Sequence, residues 1–118
     1  MIKKVNSNGD NSRKNNIVFF ENAYSSAVKD GMKILGEDVS KIVQDYIEDK
    51  YSFIIENTSQ DPKSLSEALQ FAIDGGKRII ERRIIRVLSK KLDIEYHSAE
   101  LINFEKQIKE MRKRFEEK

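Results

Sequence analysis

Arg78, Arg82 and Arg86 stand four residues apart, with Arg83 beside them and Lys90 and Lys91 one turn further on. Four-residue spacing keeps side chains on one side of a helix, about 6 Å apart along its axis. A row of guanidinium groups at that interval can neutralise phosphates, and affinity of that kind falls with salt. One chemistry on offer is therefore polyanion binding, with Arg78, Arg82, Arg83 and Arg86 as the contacting residues of a nucleic-acid partner. The competing reading is a solvated helix face, or one paired with Glu37, Asp38, Asp45, Glu48 and Asp49 elsewhere in the chain.

The other polar candidates carry less. Gly75-Gly76-Lys77 has the Gly-Lys step of a phosphate loop, but no earlier Gly at the required spacing, no Ser or Thr after the Lys and no preceding strand. It reads as a helix stop. His97 is the one imidazole, with Glu95 and Ser98 beside it in the sequence. Adjacency in a linker does not place a base, an orienting carboxylate and a nucleophile together, so a surface histidine is expected. The chain has no Cys, which excludes disulfides, thiolate metal sites and a thiol nucleophile. A single His excludes a multi-histidine metal site. The expectation is a protein that is not an enzyme, with no metal and no cofactor.

A different kind of chemistry lies near the carboxyl end. Leu101, Phe104, Ile108, Met111 and Phe115 are spaced 3, 4, 3 and 4, an a/d seam on an otherwise polar helix. Two Phe on such a helix need cover, from the chain's own body or from a partner helix. A parallel pair would set Glu100 against Glu105; an antiparallel pair centred on Ile108 sets Glu105 against Arg112 and Glu100 against Arg114. These five residues are therefore expected to form a partner-binding surface, with an antiparallel homodimer as the favoured assembly.

The elements that position these groups follow from periodicity. Residues 1–16 hold five Asn and few large apolar side chains, and they predict a disordered basic tail. From Phe20 a helical stripe runs through Tyr24, Ala27, Val28, Gly31, Ile34 and Leu35. Gly36 predicts a break or kink before a second stripe of Val39, Ile42, Val43, Tyr46 and Ile47. Residues 51–61 read as an extended connector. Pro62 and a Ser64-x-x-Glu67 capping box start a third helix, and Asp74-Gly75-Gly76 ends it. The fourth, 77–92, is apolar around about two thirds of its circumference and belongs at the centre. After a linker, a fifth runs from an N-cap at Ser98 to the carboxyl end.

The 118 residues suffice for one core, and 36% charged against 38% apolar residues still allows it to fill. Charge is segregated: residues 37–50 sum to −3 and residues 77–91 to +6, against a total of +2. A total so near balance points to internal complementarity before a nucleic-acid partner. No uncharged apolar run reaches membrane-spanning length, and the amino terminus lacks the apolar core of a secretory signal, so no membrane association and a cytoplasmic location are expected.

Gly31-Met32-Lys33-Ile34-Leu35-Gly36-Glu37, Ser66-Glu67-Ala68-Leu69 and Gly75-Gly76-Lys77 through Ile80-Glu81-Arg82 lie within residues 31–92, a stretch that resembles the Nitrosopumilus output domains. That resemblance implies a small archaeal all-helical unit with a non-catalytic role in signal output, and it brings no catalytic motif. The combined expectation is an all-α chain: a tail (1–16), a helical domain of four to five helices in a bundle (17–97) and a long C-terminal amphipathic heptad helix (98–118). Its expected role is a dimerisation or protein-interaction module in archaeal signalling or regulation; nucleic-acid binding through 77–91 is the alternative.

Overall fold

Gly36 divides the amino-terminal half of the chain into two helices. The computed structural model describes residues 2–73, 75–95 and 103–117, with side chains from Asn15 onward. Helix α1 (Ile2–Met32) passes into a 3₁₀ turn, Lys33–Leu35, and Gly36 then takes φ 84° and ψ 159°. Only glycine adopts that conformation without strain. Helix α2 (Glu37–Tyr51) follows at once, with Glu37 and Asp38 in the first turn, where free N–H groups favour negative charge. The side chains of 2–14, most of the tail expected over 1–16, lie outside the described ones. Among the described side chains of α1, the first buried one is Phe20, where the helical stripe was expected to begin.

The connector after α2 contains no strand. Ser52 turns left-handed at φ 61°, and Ile55–Asn57 forms a second 3₁₀ turn with Ile55 fully buried. Helix α3 (Pro62–Ala72) has Pro62 in its first turn, as expected, but its N-cap is Asp61. The Asp61 carboxylate accepts from the Ser64 backbone N–H at 3.4 Å and from the Ser64 hydroxyl at 2.6 Å. Ser64 therefore sits inside the helix, and the Ser64-x-x-Glu67 box is displaced by one turn. Gly75, at φ 85°, separates α3 from α4 (Lys77–Lys91). Asp74 and residues 96–102 lie outside the described residues, Ser98 among them. The described start of α5 (Phe104–Glu117) is capped by Asn103, whose side chain accepts from the Lys106 N–H at 2.9 Å.

Every regular element among the described residues is helical: five α-helices and two 3₁₀ turns. Helix α4 lies at the centre, packed against α1, α3 and α5, and buries Ile80, Ile84, Ile85 and Leu88. Its closest neighbour is α1, and Gly31 explains how close. A Cβ there would stand 2.7 Å from Ile84 Cγ1 and 3.3 Å from the Ile80 carbonyl oxygen. Helix α5 joins the same core through Phe104, Ile108 and Met111, so it is a wall of the body.

Candidate interaction surfaces

The heptad seam is covered by its own chain. Phe104 is 3% exposed, and Ile108 and Met111 are 0% exposed. Phe115, at the far end, is half-buried; its ring stacks on Phe19 at 5.5 Å between centroids and tilts against Phe20 at 6.4 Å. Each fully buried side chain of this size stabilises the fold by about 1.5–3 kcal/mol. The seam expected to receive a second helix is thus closed in cis, which corrects the placing of Phe104, Ile108 and Met111 on a partner-binding surface. Leu101, the remaining residue of that expectation, lies outside the described residues.

The charges beside the seam close it too. Arg112 donates to the Ser59 carbonyl at 2.6 Å and to Gln60 at 2.9 Å, and its guanidinium lies 4.7 Å from the centre of the Phe20 ring. Glu105 pairs with Lys109 at 3.1 Å, and Arg114 pairs with Glu110 at 3.3 Å. The inter-chain pairing expected between Glu105 and Arg112 is replaced by these contacts within one chain. Periodicity had identified a buried face correctly; what it could not specify was the surface covering that face.

Open faces among the described residues include those of α2 and α4. On α2, Ser40, Val43 and Ile47 turn inward. Val39 is 48% exposed, Ile42 67% and Tyr46 43%. Spaced three and four apart, they form one stripe about 10 Å long on the face next to the buried one. The expected single apolar face of α2 is therefore split between core and solvent. Asp38, Asp45 and Asp49 flank the stripe on one side by helical geometry, all exposed.

On α4, Arg78, Arg82 and Arg86 project outward with Ile79, which is 58% exposed. Arg83 turns toward α1 and meets Asp30 at 3.2 Å. The expected pairing of this row with the acidic residues of α2 does not occur: among the described residues no ion pair joins α2 to α4. Among the described residues, Arg82 and Arg86 have no carboxylate within 4.0 Å.

One carboxylate that the sequence reading passed over has an altered environment. Burial raises the pKa of Glu81, opposed by a 2.7 Å hydrogen bond donated by the Ser66 hydroxyl and by the charges of Lys77 and Arg78. Its signal was available: Glu81 stands three, four and seven residues before Ile84, Ile85 and Leu88, on the buried flank of α4. The arrangement is a strut between α3 and α4. Burial also pushes the Tyr24 hydroxyl far up, so it stays protonated, sharing a hydrogen bond with Thr58 at 2.8 Å. Gly76 leads into α4 as a helix-start residue, and His97 lies outside the described residues. Among the described residues no group of three His, Asp or Glu is placed to hold a metal ion, and no helix is long and apolar enough to cross a membrane.

Comparison with known proteins finds no matching family model, no matching curated protein and no matching solved structure.

Proposed function

We propose that the chain is a non-catalytic helical association module, a small bundle whose contact surface is the outer face of α2. The observation that carries this reading is the exposed Val39–Ile42–Tyr46 stripe, on a helix whose adjoining face is already buried in the core. Its aspartate edge asks for an apolar partner surface with basic residues beside it. The outer face of α4 is such a surface, with Ile79 beside Arg78 and Arg82. Two copies can therefore meet with the acidic face of one on the basic face of the other. This moves the expected homodimer from the α5 seam to α2 and α4. The resemblance to Nitrosopumilus output domains supports a setting in archaeal signal output.

Magnitude bounds the claim. A stable interface buries about 800 Å² on each partner, and three exposed side chains on one helix supply only part of that. The association is therefore weak and sensitive to salt. Light scattering across protein concentration at low and high salt tests it. The mass should rise with concentration at low salt, and Ile42→Asp should abolish the rise. Asp45→Arg should weaken association, and Arg82→Asp in the same chain should restore part of it. A wild type that stays monomeric at high micromolar concentration and low salt refutes the reading.

A second reading is favoured by one specific observation, the absence of carboxylate partners for Arg82 and Arg86 among the described residues. In it, Arg78, Arg82, Arg83 and Arg86 bind the phosphates of a nucleic acid. Each lost contact flattens the slope of log affinity against log salt by about 0.9 on duplex DNA. Arg82→Ala with Arg86→Ala should therefore change that slope by about 1.8. Unchanged affinity and slope would remove this reading.

A further inference from the structure

An open hollow of about 340 Å³ lies where the end of α1 meets the carboxyl-terminal half of α4. Asp30, Arg83, Arg86, Val87, Lys90 and Lys91 line it. Four cations thus face one carboxylate, and that carboxylate is already held by Arg83 at 3.2 Å. Arg86, Lys90 and Lys91 have no side-chain ion pair or hydrogen bond among the described residues. The Nε of Arg83 is buried with no acceptor among the described residues.

These facts need a common cause. The negative end of the α4 dipole accounts for lysines in its last turn, at positions 90 and 91. It does not account for Arg83 and Arg86, two turns and one turn earlier, because the dipole's influence fades within one turn. Pairing within the fold answers Arg83 alone, since Asp30 is the only acid among the described lining residues. Arg83, Arg86 and Lys90 follow at intervals of three and four, so they stand on one side of α4 within about 10 Å of helix length. A monovalent anion would answer one of these charges. A compact anion carrying several charges a few ångströms apart would answer three or four, and the hollow has the volume of a small-molecule site.

We infer that this hollow binds a compact oligophosphate, held by Arg83, Arg86, Lys90 and Lys91, with Val87 as an apolar wall. The ligand class is set by the density of cations and by the guanidinium groups, which match phosphate oxygens in pairs. A slight turn of Arg83 gives its unmet Nε–H an acceptor on the ligand while Asp30 retains the other side of the guanidinium. The site uses the edge of α4 next to α1 and its carboxyl-terminal half. Arg78, Ile79 and Arg82, the residues assigned to association above, lie outside it, so the inference stands independently of that reading.

Isothermal titration calorimetry of the full chain with inorganic tripolyphosphate at physiological ionic strength tests it, beside a titration with duplex DNA. The expected result is saturable binding at one site, weakened at least tenfold by Arg86→Ala with Lys90→Ala and less than twofold by Arg82→Ala. The melting temperature of the wild type should climb with tripolyphosphate, and that of the double variant should not. Both substituted side chains are exposed, so the variant's own melting curve verifies that it folds. Absence of saturable binding at millimolar tripolyphosphate overturns the inference. So does an equal loss from Arg82→Ala, which would make the cations one undivided stripe for a nucleic-acid backbone.

Discussion

Helices α2 and α5 carry apolar stripes of nearly the same spacing, yet the fold treats them in opposite ways. On α5 the stripe is a seam closed by the body, with Ile108 and Met111 fully buried. On α2 the apolar set is wider than the body can cover, and Val39, Ile42 and Tyr46 stay in solvent while Val43 and Ile47 go inside. The charged flanks diverge too. Those of α5 bond to the loop before α3 and to each other, whereas the aspartates of α2 find no partner in α4. A spacing rule identifies a face of a helix. The area of neighbouring helix available decides how much of that face is sheltered.

The sharpest way to break this contrast is to charge the middle of the α5 seam. Ile108→Asp places a carboxylate among fully buried side chains and should cost about 4 kcal/mol or more, a large part of the stability of a small domain. Urea melts followed by circular dichroism measure it. A variant that melts like the wild type would show that Ile108 is not buried in solution.

The α1–α4 contact extends the covered side of the comparison. Alanine favours a helix over glycine by about 1 kcal/mol, so Gly31→Ala ought to stabilise an isolated α1. In the fold its Cβ meets Ile84 at 2.7 Å, and overpacking of this kind costs about 1–3 kcal/mol. A net loss of stability on thermal melting is expected, and the same substitution should cost less when made in an Ile84→Ala background. A net gain would mean that the two helices separate easily.

Much of the architecture could be read from the residues before any coordinates. Gly36 announced the break after α1, Pro62 the start of α3, and the crowded apolar positions of 77–92 the central helix. The misreadings share a cause. The cap at Asp61 lost to a Ser64-x-x-Glu67 pattern because both satisfy the same rule, and only the backbone path chooses between them. The close approach at Gly31 depends on which helix lies opposite, which a local pattern does not record. The surfaces followed the same division. The basic row of α4 was legible because charge needs no tertiary context to be exposed. The open stripe of α2 was not, because exposure is a property of the neighbours.

Acidity offers a smaller effect on the same theme. Burial raises the pKa of Glu81 in the folded state, while the unfolded chain keeps the ordinary value near 4.3. The folded state then holds a proton that the unfolded state has released, so stability falls as pH rises through that range and just above it. Glu81→Gln should remove this decline while retaining a hydrogen bond to Ser66. Denaturant melts between about pH 4 and pH 6 measure the difference. The aspartates of α2, being exposed, should contribute no comparable slope.

The smallest effect on stability completes the comparison. Ile42→Asp should shift the melting midpoint by no more than about 0.5 kcal/mol equivalent, because the side chain is 67% exposed. A loss as large as that of Ile108→Asp would mean that the outer stripe of α2 is sheltered after all.

The segment between α2 and α3 looks like a hinge by composition, yet it is gripped from both sides. Tyr24 of α1 meets the Thr58 hydroxyl, which itself donates to the Ile55 carbonyl at 2.8 Å, and Arg112 of α5 takes the Ser59 carbonyl. Amide deuterium uptake across residues 55–59 should therefore be slow, keeping pace with the helices on either side and far behind the exposed turn at Ser52. A protease given the native chain should leave that loop uncut until the whole domain opens.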